Sequence, residues 1–287
     1  NLFGFDREGM NAFFSDMGEK PFRTVQIMKW VYHQRVADLD KMTDISKKLR
    51  AQLADETTFS LPKIASQQSS SDGTRKWLFE LSDGSFVESV YIPEKERATL
   101  CVSTQVGCAQ GCTFCATATL GFTRNLTAAE IVGQAWLAVG EIIRHNEREI
   151  TNVVLMGMGE PLLNYQASII ATNVFKEDLA FGLSKRRVTI STVGIVPGIN
   201  KMVDDTDVSL AVSLHAPNDK TRDKLIPINA HYPLNQLILS CKRYIDDKPH
   251  RSITWEYVML DGINDRDEDA RQLVKLIRGI PSKVNLI

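Results

Sequence analysis

The sequence predicts an α/β protein built on a largely parallel sheet, and three observations predict it. Strand-like runs recur at ATLCVST (98–104), TNVVLMG (151–157), RVTIST (187–192), VSLAVSL (208–214), SITWEYVML (252–260) and KVNLI (283–287). Amphipathic helical segments fill the gaps between them, which is the alternation of β/α units. The strands are long and apolar, as strands covered on both faces are. This pattern fits either a doubly wound sheet or an open barrel, and in both architectures ligands gather at the carboxyl ends of the strands.

Ahead of the first β/α unit, residues 1 to about 57 read as helical. Met10, Phe13, Phe14 and Met17 fall on one helix face, Ile45, Leu49 and Leu53 on another, and Gly18 and Pro21 separate the first helix from the next. Acidic and basic residues balance in this appendage, so its composition carries no polyanion footprint. A polar connector, SQQSSSDG, then leads into TRKWLFEL, SDGS and FVESVYIP, two β-rich runs around an Asp-Gly turn that predict a hairpin over 74–93. The clearest helix begins at Thr127, where Thr-x-x-Glu130 makes a capping box and Ile131, Ala135, Val139 and Ile142 share a face. The expected organisation is a helical domain over 1–58, a connector and hairpin over 59–95, and the β/α core over 96–287.

Composition bounds the class. Hydrophobic residues make up 43%, charged residues 24%, and the formal charge is −1. No run approaches the roughly 18 apolar residues of a membrane span, and no signal segment opens the chain, so a cytoplasmic protein without membrane contact is expected. Four of the five cysteines lie within 101–115, a bunching unlike a secreted disulfide framework and in keeping with a metal site or catalytic thiols. The first residue is Asn1 and the last segment stops inside a strand-like run, which predicts that residues beyond Ile287 matter.

Cys108, Cys112 and Cys115 have the spacing C-x3-C-x2-C in the loop directly after the first strand of the series. Three close thiolates can bind zinc or an iron–sulfur cluster. A closed zinc site needs a fourth ligand, yet the nearest downstream histidine is His145 and Cys101 lies on the strand itself. A cubane held by three cysteines leaves one iron open to another ligand. The second strand ends in GMGEP (157–161), where Gly157 and Gly159 allow close backbone approach and Glu160 can accept from an ammonium group, or make an ordinary tight turn. Ser191 closes the third strand, and Ser213, Leu214 and His215 close the fourth. Each alone reads as a turn residue; together they fall on one predicted face.

The segment CAQGCTFC, with the aromatic Phe114 before its last cysteine, resembles the signature of the radical S-adenosylmethionine (SAM) superfamily. That resemblance implies a [4Fe-4S] cluster on Cys108, Cys112 and Cys115. SAM would chelate the open iron and be cleaved to a 5′-deoxyadenosyl radical. It also makes Gly159 and Glu160 the cradle of the SAM amino group, with Ser191, Ser213, Leu214 and His215 as further cofactor contacts. The implied fold is a partial (β/α)6 barrel.

The wider set of segments, from MGEKPFR and QIMKWVYH through LCVSTQVGCAQGCTFCATATLGFTRNL, LMGMGEPLLN, GLSKRRVTISTVGIVPGI, VSLHAPND and RDKLIPIN to EYVMLDGIND, resembles the RlmN/Cfr family of radical SAM RNA methyltransferases. The resemblance implies methylation of adenosine carbon 2 in 23S rRNA and in tRNA, with carbon 8 as the alternative within the family. A noncatalytic, zinc-containing RNA-binding protein is the alternative outside it. It further implies a one-electron donor such as flavodoxin and a monomeric enzyme. An adenine ring carbon has no nucleophilic lone pair, so ordinary displacement from SAM cannot methylate it. In the family a methylated cysteine near the C-terminus carries the methylene to the base. A second cysteine then releases the product by forming a disulfide, and a glutamate removes the ring proton. By position these match Cys101 and Glu88, with the carrier expected beyond Ile287. The same residues also read as a buried strand thiol and a solvent-facing hairpin acid. Cys241 shares a stripe with Leu234, Leu237, Ile238 and Ile245 and reads as core. Lys185, Arg186 and Arg187 fit equally a phosphate contact or a solvated strand start.

Overall fold

The computed structural model describes residues 1–246 and 251–287. In chain order the elements are α1 (Arg7–Asp16), α2 (Phe22–Met28), α3 (Lys47–Glu56), β1 (Lys63–Ser69), β2 (Arg75–Glu80), β3 (Phe86–Pro93) and β4 (Ala98–Cys101). There follow β5 (Gln105–Gly107), β6 (Phe122–Asn125), α4 (Ala128–Arg144), β7 (Asn152–Leu155), α5 (Tyr165–Lys176), β8 (Val188–Thr192) and α6 (Val196–Asp205). The last are β9 (Ser209–Ser213), α7 (Asp219–Leu225), α8 (Leu234–Ile245), β10 (Ile253–Tyr257), α9 (Asp267–Leu276) and β11 (Ser282–Leu286). No helix among the described residues is long and apolar enough to cross a membrane. The chain groups into two compact units: residues 1–103, 126–153 and 166–188 form the first, and 104–125, 154–165 and 189–287 the second.

The first unit is built on the antiparallel meander β1-β2-β3-β4. Alternation sets its faces: Trp77, Phe79, Val87 and Tyr91 are buried, with intermediate residues between them. The predicted hairpin is β2 and β3, turned by Asp83, whose carboxylate accepts from the Ser85 N–H, and by Gly84 at φ +80°. The predicted polar connector is corrected: four of its residues, Ser66–Ser69, belong to β1. β1 is an edge strand with an almost wholly exposed burial pattern, so it lacks the apolar alternation by which strands are read. Its Gln67 side chain accepts from the buried Trp77 indole at 2.8 Å, which anchors the polar strand.

The N-terminal helices share this unit with α4 because Phe3 packs edge-on against Tyr32, Phe59 and Trp136. Met10 and Phe14 are buried on α1, and Leu49 and Leu53 on α3, as their spacing predicts. The capping box at Thr127 and Glu130 forms as expected. Buried Gln134 on α4 accepts from the Ser89 hydroxyl and the Ser103 N–H and donates to the Ser103 carbonyl.

In the second unit β8, β9, β10 and β11 pair in parallel and lie in the order of the chain. A doubly wound sheet reverses its strand order at a switch point. No reversal occurs here, so the winding is of the barrel kind, and all six expected strands of the series form. Sequence reading missed the small hairpin of β5 and β6, which brackets the cysteine loop. Cys241 is fully buried on α8, as its stripe predicts.

Candidate active site

The cysteine loop starts where β5 ends. Gly107 has φ +74°, and a Cβ there would meet the Gly121 carbonyl oxygen at 1.8 Å, so only glycine lets β5 and β6 close at this point. The Cys108 N–H then donates to that same carbonyl at 2.8 Å, and the Cys115 N–H donates to the Cys112 carbonyl at 3.1 Å. Cys112 is buried against Ala216, Leu225 and Ile226, while Cys108 and Cys115 are half-buried. Burial raises the Cys108 thiol above its ordinary value and pushes Cys112 up to about 12, with the neighbouring thiols and Glu160 adding to both effects. Cys108 and Cys112 are therefore held protonated, and a metal would have to displace their protons.

The Gly-Glu turn is pinned to the same strand. The Thr104 and Gln105 N–H groups both donate to the Met158 carbonyl, at 2.9 and 3.2 Å. Gly159 has φ +99°, and a Cβ there would stand 2.5 Å from the Gln105 Cβ. The Gln105 side chain in turn accepts from the Glu160 N–H and donates to Asn125, each at 2.8 Å. The Glu160 carboxyl, 2% exposed, accepts from the Leu162 and Val193 N–H groups at 3.0 and 2.8 Å. Burial outweighs these bonds and raises it to about 7. A group so placed is poised to ionise when a cation arrives.

His215 sits at the end of β9 with φ +53°, 3% exposed, its ring edge-on to Phe114 at 4.6 Å. Its Nδ1 receives the Val258 N–H at 3.0 Å, so the proton of the neutral ring is on Nε2. Burial first, and Arg222 second, lower it to about 4, which keeps it neutral.

Cys108, Cys112, Cys115, Gly159, Glu160, Ser191, Ser213 and His215 line one cavity of about 580 Å³, counted to its open mouth. Leu214 is behind the wall: it is fully buried, its N–H bonded to the Glu256 carbonyl and its own carbonyl to Arg222. Among the described residues no three His, Cys, Asp or Glu groups converge tightly enough to hold a single ion. The three sulfurs share a cavity wall rather than a common point. Zinc would draw every sulfur to about 2.3 Å from one centre, whereas a four-iron cluster assigns each thiolate its own iron and leaves one iron open. The donor set fits the cluster.

Glu88 and Cys101 lie in the first unit. Cys101 on β4 stands opposite Val90 on β3, and strand alternation puts Glu88 on the same sheet face as Val90. The two candidates are thus diagonal neighbours, a relation that spans roughly 7–8 Å. Glu88 pairs with Lys76 at 3.0 Å, both side chains 42% exposed. Among the described residues none of the cysteines forms a disulfide. Lys185, Arg186 and Arg187 form a 3-10 turn before β8, where Arg187 donates to the Thr151 carbonyl at 3.2 Å.

Two site residues escaped sequence reading. Gln105 carries no chemical signature, and its role rests on a steric and hydrogen-bond fit to Gly159 and Glu160. Arg222 stands within a quoted segment, but its function depends on carbonyls from distant strands.

Residues 1–58 match the family model of the ribosomal RNA large subunit methyltransferase N-terminal domain. Residues 102–274 match that of the radical SAM superfamily. The chain is 58% identical over 286 residues to the dual-specificity RNA methyltransferase RlmN of Halorhodospira halophila, covering 100% of this chain and 79% of that protein. It is 56% identical over 287 residues to the protein of the same name from Alkalilimnicola ehrlichii, again covering 100% and 79%. A crystal structure of a radical SAM methyltransferase from Sphaerobacter thermophilus superposes with a TM-score of 0.90 at 41% identity, covering 99% of this chain and 84% of that one.

Proposed function

This chain belongs to the RlmN family of radical SAM RNA methyltransferases, and on that premise we propose that it methylates carbon 2 of an adenosine in both 23S rRNA and tRNA. Its cofactors are a [4Fe-4S] cluster and SAM. We place it in the cytoplasm as a monomer supplied by a one-electron donor of the flavodoxin kind. The observation that carries the reading is the single cavity that joins the three thiols of C-x3-C-x2-C to the buried carboxyl of Glu160.

Cys108, Cys112 and Cys115 would hold the cluster, giving up their protons on loading. Glu160, fixed by two backbone N–H groups, would receive the SAM ammonium, and Gly159 keeps the backbone out of its way. Ser191, Ser213 and neutral His215 would complete the cofactor wall, the last with its Nε2–H free to donate. When bound, the cluster and SAM supply the one-electron bond cleavage that an unactivated ring carbon requires. The protein's part is to aim the reacting carbon and exclude water. On the first unit, Glu88 is the candidate base for the ring proton and Cys101 the candidate thiol for product release; their shared face and diagonal register support a joint role.

The test is anaerobic reconstitution with iron and sulfide, reduction, and mass spectrometry for 5′-deoxyadenosine and methionine from added SAM, with Cys112→Ala as control. Cleavage that depends on Cys112 is expected, followed by 2-methyladenosine in RNA treated with the full-length enzyme. A preparation that binds zinc and RNA but takes up no iron and cleaves no SAM would overturn the reading, and 8-methyladenosine would overturn the choice of carbon.

A further inference from the structure

Arg222, on α7, is 0% exposed. Its Nε donates to the Leu214 carbonyl at 3.1 Å and its Nη1 to Asn229 Oδ1 at 2.7 Å. Its Nη2 donates to the carbonyls of Val193 at 2.5 Å and Ser213 at 3.0 Å. Every direct partner is a neutral oxygen. Carboxylates meet the charge only at one remove, where Asn229 Nδ2 donates to Asp219 at 2.9 Å and Asp223 at 2.6 Å. A buried cation without a touching anion is costly, so the fold gains something from it beyond packing.

What the guanidinium holds is the cofactor wall described above. It grips the carbonyl of Val193, whose own N–H holds the Glu160 carboxyl at 2.8 Å. It also grips the carbonyls of Ser213 and Leu214, the two residues before His215. The helix that carries it ends at Leu225, whose carbonyl accepts the Thr113 N–H of the cysteine loop at 3.0 Å, and Cys112 packs on Leu225 and Ile226. The charge stands close to the loop as well, three residues along α7 from the Leu225 on which Cys112 packs.

We propose that Arg222 is a positioning residue: one guanidinium sets the Glu160 cradle, the end of β9 and the cysteine loop against each other, and its fixed positive charge favours the reduced cluster. The inference rests on the radical SAM reading. In the step concerned, the cluster takes one electron from a low-potential one-electron reductant and its charge falls by one, which a nearby cation stabilises. No bond is made or broken.

The test compares the wild-type chain with Arg222→Gln and Arg222→Lys after anaerobic reconstitution. Iron and sulfide content, SAM affinity by equilibrium dialysis, and the cluster midpoint by a dithionite titration followed by electron paramagnetic resonance are read on each. Arg222→Gln should lower the equilibrium constant for reduction about tenfold, or 59 mV for a one-electron couple, and raise the SAM Kd at least tenfold. Arg222→Lys should keep the midpoint near that of the wild type, because the charge remains. It should still raise the SAM Kd about tenfold, because an ammonium cannot reproduce the planar fork across three carbonyls.

Wild-type SAM affinity in Arg222→Lys, or an unchanged midpoint in Arg222→Gln, would overturn the proposal while leaving the enzyme's function intact. Should Arg222→Gln not fold, the SAM affinity of Arg222→Lys decides alone. A wild-type chain that loads neither iron nor sulfide removes the proposal together with the reading it rests on.

Discussion

Gly159→Ala tests how tightly the cofactor turn is built. At φ +99° a residue with a Cβ is strained by roughly 1–3 kcal/mol. The added carbon would also stand 2.5 Å from the Gln105 Cβ and 2.8 Å from its backbone nitrogen, so Gln105 must move. Moving it breaks the side-chain bonds to the Glu160 N–H and to Asn125, worth about 1 kcal/mol each. The expected loss is therefore about 3–5 kcal/mol, a large share of the roughly 5–15 kcal/mol that holds a typical domain folded. Urea unfolding of the unloaded chain measures it. A double-mutant cycle with Gln105→Gly separates the causes, because removing the Gln105 side chain relieves the contacts with its Cβ and Cγ but neither the approach to its backbone nitrogen nor the dihedral strain. The cycle should show a favourable coupling of roughly 1–2 kcal/mol. A cost for Gly159→Ala below about 1 kcal/mol, or strict additivity with Gln105→Gly, would refute the reasoning.

Glu160 gives a pH signature. Its folded-state value of about 7 lies above the ordinary 4.5, so the folded chain binds that proton more tightly. The associated stability is complete below about pH 4.5 and is lost as pH rises through 7, by about 3 kcal/mol. Urea midpoints compared at pH 5 and pH 8 should show this fall in the wild type and not in Glu160→Gln; an equal slope in both would remove the assignment. For Cys101, substitution by alanine in the full-length enzyme should leave SAM cleavage intact yet trap the protein covalently on RNA, as a shifted band on a denaturing gel. Unimpaired methylation with no trapped species would remove its role in product release.

What the sequence determined by itself is what local chemistry encodes. The Thr127 capping box, the Asp-Gly turn at 83–84 and the stripe that buries Cys241 each depend on residues a few positions apart, and each forms as read. The C-x3-C-x2-C spacing and the glycines of GMGEP are equally local, and they were enough to bring out the cofactor chemistry and the superfamily, while the family rested on the wider set of segments along the chain. β8, β9 and β10 were legible because both their faces are largely covered, so apolar runs mark them; β11 was read from its apolar residues although it is an exposed edge strand. β1 was not, since this exposed edge strand has no apolar face to display.

Tertiary structure decided whatever depends on which distant backbone groups meet. The choice of barrel-type winding over a doubly wound sheet required the strand order. That Glu88 and Cys101 share a sheet face required the register of β3 on β4. The cavity wall required Gln105 beneath Gly159 and a buried guanidinium spanning Val193, Ser213 and Leu214. None of these leaves a periodic or compositional trace, because a hydrogen bond to a carbonyl is indifferent to the side chain that the carbonyl's residue bears.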